Sequence, residues 1–406
     1  MNPRAKGRTA MKSRCLWPNV VIGMSILSFV AISGCGVQIG GCNQARYERT
    51  VNEQAACEAG GTLDVATESG SITITGADTN ECRVTAKIVG YAPTEEEAQE
   101  LAEQVQIRLE SSGATLKVRA DQPHLTDNRS IAVSYEITAP RRLNVLCLSD
   151  YGSLSATNLQ GEVKGKTSSG SIKAEQIDGP LDLDTSYGSI ECRNSAGPTT
   201  LLRSSSGSIT ATNLKGEAKL VTSYGAITCD TFTGTSLDLK TDSGKIEISN
   251  ASFRNCLANT SYGSVACDHL KGDTLKLRSS SGSLNLTAID APSVDVSTSY
   301  GNVKAQEITT AKLLASSGSG SINIVCTPAT PTDLTAEAKS SYGGIDFTAP
   351  PGFAGQVDLR TDYGSIRTAL PVTVSGDITK TKITGNIGQG NGLLRLQTGS
   401  GSISLK

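Results

Sequence analysis

Tyrosines at a fixed spacing are the residues of this sequence best suited to recognition chemistry. Seven of the ten tyrosines stand directly before a glycine, and serine takes that place in alternate copies of the same motif. Rings along one edge, about 9.6 Å apart, would form a stacking ladder for sugars or peptide. Residue parity instead predicts that the rings face inward, each filling space over the serine of the next copy. A double repeat, with tyrosines on one edge and serines on the other, is a third interpretation. The candidate recognition or packing column comprises Tyr151, Tyr187, Tyr224, Tyr262, Tyr300, Tyr342 and Tyr363.

Carboxylates are the second group of residues with chemical potential. A polysaccharide lyase or hydrolase needs paired carboxylates, or an acidic cluster with a base, in a cleft. Asp182 and Asp184 share one face of a predicted strand, and Asp238 and Asp242 occupy related positions further along. Outward positions also carry basic residues, which is typical of a solvated face of mixed charge. We therefore predict a protein that is not an enzyme and has no catalytic residues; a polysaccharide-acting β-helix enzyme is the alternative.

The eleven cysteines do not predict a metal or cofactor site. No Cys/His spacing fits a metal, only two histidines are present, and neither a cofactor motif nor a phosphate-binding loop occurs. Equivalent cysteines lie two copies apart, about 9.6 Å, which is beyond the reach of a disulfide. We expect these and two further inward cysteines to be small buried apolar residues, and offer one other pair as a disulfide. The inward residues are Cys192, Cys229, Cys267, Cys147 and Cys256; the pair is Cys42 with Cys57.

These residues are positioned by a repeat with a period of 18 or 19 residues. Each copy alternates apolar and polar residues up to a glycine, shifts parity after it, and has a third apolar anchor seven residues beyond it. A fixed period of this length is typical of a solenoid, whose repeats bury their apolar faces only against neighbours. We predict an all-β parallel β-helix of about thirteen coils with three inward patches in each coil. The regular glycines are Gly152, Gly170, Gly188, Gly207, Gly225, Gly244, Gly263, Gly282, Gly301 and Gly320.

The first 34 residues predict an export signal. Basic residues precede an apolar run over residues 20–32, which ends in Ile-Ser-Gly before Cys35. This resembles the lipobox of bacterial lipoproteins, in which the cysteine is lipidated, so Cys35 is the predicted lipidation site. An uncleaved transmembrane anchor is the alternative, although the run is short for a span. Residues 35–60 are expected to form a flexible tether, placing an exported protein at the outer membrane or cell surface.

Residues 61–140 predict an N-terminal capping module and residues 141–406 the solenoid repeat domain. The module contains the one predicted helix, residues 94–110, in which Thr94 is the N-cap and acidic residues fill the first turn. Residues 141–406 lose their regular spacing after Cys326 and end inside a copy of the motif. Either the late insertions fold over the end of the solenoid or that end pairs with another molecule.

The repeated Ser-x-Gly-x-Ile motif, the strand-helix-strand module and the run at residues 135–140, YEITAP, resemble the bacterial putative adhesin family, a group of surface β-solenoids of unknown function. The resemblance covers about residues 60–406 and supplies no catalytic or ligand-binding residue. It implies an envelope protein linked to adhesion or envelope-stress sensing.

The sequence thus favours a non-catalytic, lipid-anchored envelope protein, an adhesin or scaffold that presents a repetitive surface. The expected partners are the membrane, through the lipid anchor, and a cell-envelope glycan or surface protein. Self-association through the solenoid end is a further expectation. Nucleic acid is excluded as a partner because the formal net charge is −2 and no basic stripe is present.

Overall fold

A computed structural model describes residues 44–125, 128–375 and 379–406. Of the described residues, 64% lie in strands and 3% in the helix, and they form a nearly all-β solenoid of about 11 coils with about 19 residues per coil. The predicted fold class is confirmed, with fewer regular coils than the thirteen expected.

The N-terminal region contains seven strands and one helix. They are β1 (Ala45–Ala56), β2 (Thr62–Thr67), β3 (Ile72–Ala77), β4 (Glu81–Ala92), α1 (Glu95–Gln104), β5 (Gln106–Ser112), β6 (Thr115–Asp121) and β7 (Ser130–Pro140).

The regular coils follow from residue 144. Their strands are β8 (Asn144–Ser149), β9 (Leu154–Leu159), β10 (Val163–Thr167), β11 (Ile172–Ile177), β12 (Leu181–Thr185), β13 (Ile190–Ser195), β14 (Thr199–Ser204), β15 (Ile209–Val221), β16 (Ile227–Lys240), β17 (Ile246–Thr260), β18 (Val265–Ser279), β19 (Leu284–Asp290), β20 (Ser293–Thr298), β21 (Val303–Thr309), β22 (Lys312–Ser317), β23 (Ile322–Cys326), β24 (Thr335–Ser340) and β25 (Ile345–Thr348). The last strands are β26 (Gly355–Thr361), β27 (Ile366–Thr368), β28 (Thr373–Val374), β29 (Lys382–Ile387), β30 (Gly392–Thr398) and β31 (Ile403–Leu405).

Each coil buries three groups of side chains, as the repeat predicts. In the coil that begins with β12, Leu181 and Leu183 are buried before the glycine, and Ile190 and Cys192 after it. The third anchor, seven residues beyond the glycine, is also buried in every copy where the sequence predicted it, such as Leu214. Parallel pairing in register stacks equivalent residues of successive coils, so these anchors form continuous apolar columns.

The glycine at the first corner is required by close backbone approach. A Cβ atom on Gly225 would lie 2.1 Å from the carbonyl oxygen of Gly207 in the preceding coil, and one on Gly244 would lie 1.8 Å from that of Gly225. Of the glycines at this corner, Gly70 alone has a left-handed φ, +126°. In the regular coils, contact between coils, and not a left-handed φ, is therefore what excludes a side chain.

A buried hydroxyl joins adjacent coils at the same corner. The hydroxyl of Thr241 donates to the carbonyl of Gly225 in the preceding coil at 3.0 Å and accepts from the backbone N–H of Gly244 in its own coil at 3.1 Å. Serine performs the same role at Ser204, with both distances 2.9 Å. This hydroxyl ladder runs through Ser149, Thr167, Thr185, Ser204, Thr222, Thr241, Thr260, Ser279, Thr298, Ser317, Ser340, Thr398 and Thr361.

A second corner turns on residues with left-handed φ that are not glycine. Each directly precedes the buried residue seven positions beyond the glycine, as Asn213 (φ 56°) precedes Leu214. Asparagine tolerates this conformation best, which accounts for its recurrence. This corner was not predicted from the sequence. Its members are Asn158, Gln176, Asn194, Asn213, Thr231, Asn250, His269, Ala288 and Glu307.

The N-terminal region corrects three expectations. The tether is wrong for residues 45–56, because β1 pairs antiparallel with β4 along its whole length. Cys57 forms a disulfide with Cys82, with the Cα atoms 5.9 Å apart, and not with Cys42, which lies outside the described residues. The helix begins after Thr94, whose hydroxyl accepts from the N–H of Glu97 as predicted, but it ends at Gln104 because the following residues form β5 against β6.

Both ends of the solenoid contain coils stacked out of chain order. At the N-terminal end, β2 and β3 lie between β6 and β7 on one side and β8 and β9 on the other. At the C-terminal end, β30 and β31 lie between β24 and β25 on one side and β26 and β27 on the other. The last residues of the chain are thus held on both edges. The outermost β26 is covered by β29, so the late insertion folds over the end as one of the two alternatives expected.

Replacement of the corner glycine tests the requirement for close approach. We expect Gly225→Val to lower the free energy of unfolding by about 3 kcal/mol or more, because a Cβ has no space against the carbonyl of Gly207. Urea denaturation followed by circular dichroism measures this change. Ala226→Val is the control, since Ala226 is next in the chain and its side chain is not buried; equal stability of both variants would contradict the assignment.

Removal of one hydroxyl tests the ladder between coils. Thr241→Val keeps the side-chain shape but leaves the carbonyl of Gly225 and the N–H of Gly244 without that partner, so we expect a loss of about 1–3 kcal/mol. Thr241→Ser keeps the hydroxyl and should lie much closer to the parent in the same urea titration. If valine and serine were equally tolerated, the hydroxyl would not be the link between the coils.

Candidate binding surface

The column tyrosines lie on the outside of the first corner. Tyr224, Tyr262 and Tyr300 are each 71% exposed, and the other four are 71–81% exposed. The predicted inward packing of the rings is therefore wrong. The alternation of inward and outward side chains does not continue here, because the chain turns between the buried hydroxyl residue and the glycine. The residue directly before the glycine therefore points away from the core.

A hydrogen-bond ladder fixes the order of this column in space. From Tyr151 onward, the backbone N–H of each column residue donates to a carbonyl of the preceding coil: Tyr187 to Ser168 at 3.1 Å, and Ser281 to Ser261 at 2.9 Å. Successive column residues are thus one strand spacing apart, about 4.8 Å, and successive tyrosines about 9.6 Å.

The out-of-order coils make the alternation of tyrosine and serine complete. In the chain, Tyr342 and Tyr363 are consecutive tyrosines of the column, but in space Ser400 lies between them. Ser400 donates to the carbonyl of Ser341, and Tyr363 donates to that of Gly399. The Tyr/Ser column, in spatial order, is Ser69, Tyr151, Ser169, Tyr187, Ser206, Tyr224, Ser243, Tyr262, Ser281, Tyr300, Ser319, Tyr342, Ser400 and Tyr363.

Small residues flank the column on both sides. The residue before each column member is most often serine, as at Ser205 and Ser280, and serine also predominates directly after the corner glycine, as at Ser189. The rings therefore project beyond the small side chains beside them, which leave space for a large partner to approach. Charges flank the column at Glu68, Asp150, Asp242 and Asp362 before it and at Lys245 after it.

Three of the four acidic residues considered for catalysis, Asp182, Asp184 and Asp238, lie in ion pairs on an outward face. Arg203 donates to Asp182 at 2.8 Å and to Asp184 at 3.0 Å. Asp238 pairs with Lys219 at 3.5 Å and lies three coils from Asp182, about 14 Å. That separation exceeds the roughly 5–9.5 Å between the carboxylates of glycosidases. The exposed Asp242 flanks the column and does not join these acids in a cleft.

Two shallow grooves adjoin the column near the ends of the solenoid. One, of about 540 Å³, is lined by Glu68, Arg119, Asp150 and Lys166 among others. The other, of about 590 Å³, includes Lys339, Arg360, Asp362 and Gln397. Both combine acids, bases and hydroxyls. Over residues 44–125, 128–375 and 379–406, no group of three or more His, Cys, Asp or Glu is arranged to hold a metal ion.

The five cysteines predicted to face inward are buried free thiols. Cys192, Cys229 and Cys267 lie in one inward column, and Cys147, Cys256 and Cys326 are also free and buried. Burial raises the pKa of Cys192 and Cys229 to about 12, and raises that of Cys256 well above its ordinary value. These thiols act as small apolar side chains in the core.

The predicted lipidation site, Cys35, and the export signal lie outside the described residues. Within the described part of the chain, no helix is both long and apolar enough to cross a membrane.

A family model matches the C-terminal part of the chain. Residues 226–406 match the family model Toastrack DUF4097. Over these residues the match agrees with the predicted resemblance to a β-solenoid family of unknown function.

Two solved structures are similar to the chain at low identity. One is described as a putative cell adhesion protein from Clostridium sporogenes, with 10% identity, 88% of this chain and 99% of that chain covered, and a TM-score of 0.17. The other is described as a putative lipid binding protein from Parabacteroides distasonis, with 12% identity, 90% and 98% covered, and a TM-score of 0.19. No curated protein is significantly similar to the chain.

Thiol labelling tests the assignment of the buried cysteines. With a pKa of about 12, the Cys192 and Cys229 thiols would be about one part in ten thousand thiolate at pH 8. We expect iodoacetamide to leave both unlabelled in the folded protein and to modify both within minutes in 8 M urea, as measured by mass spectrometry of peptides. Rapid labelling of either thiol in the folded protein would contradict its burial in the core.

Proposed function

We propose that this protein is a non-catalytic, lipid-anchored envelope protein whose solenoid presents the Tyr/Ser column as a recognition surface. The single observation that carries the proposal is the exposure of seven tyrosines in one straight register on a rigid backbone ladder. Exposed aromatic groups of this extent mark interaction sites, because a soluble protein otherwise exposes few contiguous apolar groups.

Because the rings are exposed, their contribution to recognition can be separated from any contribution to the stability of the fold. Each ring is at least 71% exposed, so its removal withdraws little packing from the core. A ring nevertheless offers a partner a large apolar area together with a polar hydroxyl. The rings are therefore assigned to contact with another molecule, whereas the buried anchors and the hydroxyl ladder stabilise the solenoid.

Alanine substitution at the centre of the column tests this assignment. We expect combined Tyr187→Ala, Tyr224→Ala and Tyr262→Ala to change the free energy of unfolding by no more than about 0.5 kcal/mol each. In the Cys35→Ser background, which lacks the proposed lipid anchor, the same triple alanine variant should lose retention on isolated cell envelopes in a sedimentation assay. A matched variant with phenylalanine at the three positions should keep much of that retention. Unchanged retention of the stable alanine variant would contradict a recognition role.

The lipid anchor is proposed from the lipobox at residues 32–35. We expect Cys35→Ser to release the chain from the membrane fraction, because no acyl group can then be attached. Cell fractionation followed by immunoblotting measures this, with Cys15→Ser as a control that removes a cysteine of the predicted signal. Continued membrane association of the Cys35 variant would instead support an uncleaved anchor.

A further inference from the structure

The period of the Tyr/Ser column has no cause within the folded chain. The exposed position makes no core contact and tolerates both a large ring and a small hydroxyl, so the fold does not require alternation. Nevertheless the alternation is unbroken over fourteen positions in space, including the end where coils are stacked out of order. A partner that itself repeats along the column would account for this regularity.

The spacing of the tyrosine rings leaves gaps between them that are each wide enough for one further ring. Two tyrosines about 9.6 Å apart, with only a serine between them, admit a ring midway at about 4.8 Å from each. That separation falls within the range of about 4.5–7 Å preferred by paired aromatic rings. A column in which every coil carried tyrosine would have no such slots. The column therefore has alternating projections and recesses of equal period, which is the shape of a self-complementary surface.

We propose that the Tyr/Ser column pairs with the same column of a second copy of this chain, in antiparallel orientation. A two-fold axis parallel to the solenoid would bring tyrosines to the same level as tyrosines, whereas an axis perpendicular to the solenoid reverses the order. The column begins with Ser69 and ends with Tyr363. With the axis between Ser243 and Tyr262, this polarity places every tyrosine opposite a serine of the other copy.

In this single register, each of the fourteen positions lies opposite a residue of the other type, tyrosine opposite serine. The seven pairs, each formed twice, are Tyr262 with Ser243, Tyr224 with Ser281, Tyr300 with Ser206, Tyr187 with Ser319, Tyr342 with Ser169, Tyr151 with Ser400, and Tyr363 with Ser69. Seven largely exposed rings would bury on the order of 1,000 Å² on each copy, which reaches the roughly 800 Å² per partner of a standard specific interface.

Other periodic partners fit less well. A polyproline II peptide repeats every three residues, about 9.3 Å, so its mismatch with the column accumulates to about 2 Å over six intervals. A second copy has the same period by identity. It therefore remains in register over the whole column.

Antiparallel pairing would place the two N-terminal ends at opposite ends of the paired solenoids. If each chain is anchored through Cys35, the paired copies belong to facing membranes, which is the geometry of contact between cells. This consequence rests on the proposed lipid anchor, whereas the pairing itself does not. The pairing specifies that the partner of the recognition surface is a second copy of the same protein.

The register also brings like charges together at the ends of the column. Glu68 flanks the first position and Asp362 the last, so Glu68 would face Asp362 of the partner subunit. Salt screens such exposed repulsion. We expect pairing to strengthen as sodium chloride is raised from 20 to 300 mM, and Asp362→Asn to reduce this dependence.

Cross-linking through single cysteines at serine positions tests the register. In the full chain, Ser243→Cys would lie about one coil from its own counterpart along the paired solenoids. Ser206→Cys and Ser169→Cys would lie about 24 and 43 Å from theirs. We expect a short bis-maleimide to convert only the Ser243 variant to covalent dimer above the background of the unmodified chain, in which six described free cysteines are buried.

Each outcome of this experiment decides between arrangements. Equal cross-linking at all three positions would overturn antiparallel pairing in favour of a parallel stagger by one coil. Absence of dimer at every position would overturn pairing and leave the column to a different ligand such as an envelope glycan. A variant that carries both Cys35→Ser and Ser243→Cys should still form the cross-linked dimer. Failure of the lipid anchor is therefore distinguishable from failure of the pairing.

Analytical ultracentrifugation of folded variants provides a second measurement. Tyr262→Ala removes two rings from each dimer near the two-fold axis, and we expect the dissociation constant to rise about tenfold or more. Tyr262→Phe keeps the ring and should raise it much less. A chain that remains monomeric at tens of micromolar, with or without these substitutions, would also overturn the pairing.

Discussion

The buried hydroxyl at the first corner of each coil is the interaction on which the rest of the solenoid depends. Adjacent coils approach so closely here that only glycine fits, and the turn leaves a glycine carbonyl in one coil and a glycine N–H in the next facing inward. A threonine or serine hydroxyl satisfies both at once, as Thr222 does between Gly207 and Gly225. Without it, buried polar groups would lose their partners at a cost of about 1–3 kcal/mol in each coil. The same constraint directs the next residue but one outward, and so creates the exposed column.

The open strand edges at the two ends of the molecule are covered in the same way. At each end a coil close to a chain terminus lies second in the stack, and a coil from further inside the sequence lies outermost. Antiparallel strands then extend from that outermost coil, β4 beside β7 at one end and β29 beside β26 at the other. Edge strands invite uncontrolled pairing, so this arrangement favours association through the side of the solenoid instead of its ends. The hydroxyl ladder passes through the out-of-order coils unchanged, since Thr398 bonds to Gly343 and Thr361 to Gly401.

The sequence predicts what is set by the period and misses what is set by distant pairing. The anchors, the N-cap at Thr94 and the free buried thiols follow from local spacing, and the structure agrees with each. The direction of the tyrosines was missed because parity does not continue through a corner. The disulfide of Cys57 with Cys82 depends on β1 lying beside β4, and β1 is mostly polar because much of it faces water, so its pattern resembled a tether. The stacking of Ser400 between Tyr342 and Tyr363 depends on long-range pairing that no local pattern encodes.

A long column changes how recognition energy can be distributed. One exposed ring that stacks on a partner contributes about 0.5–1.5 kcal/mol, which is too little to hold two proteins together against the loss of their independent motion. Seven rings on one rigid backbone act together, because formation of one contact places the next in register without further ordering of the chain. Affinity then depends on the number of coils that remain aligned. The closed ends contribute to this surface as well as to stability, since they hold Ser69 and Tyr363, the two positions that complete the register, on ordered coils.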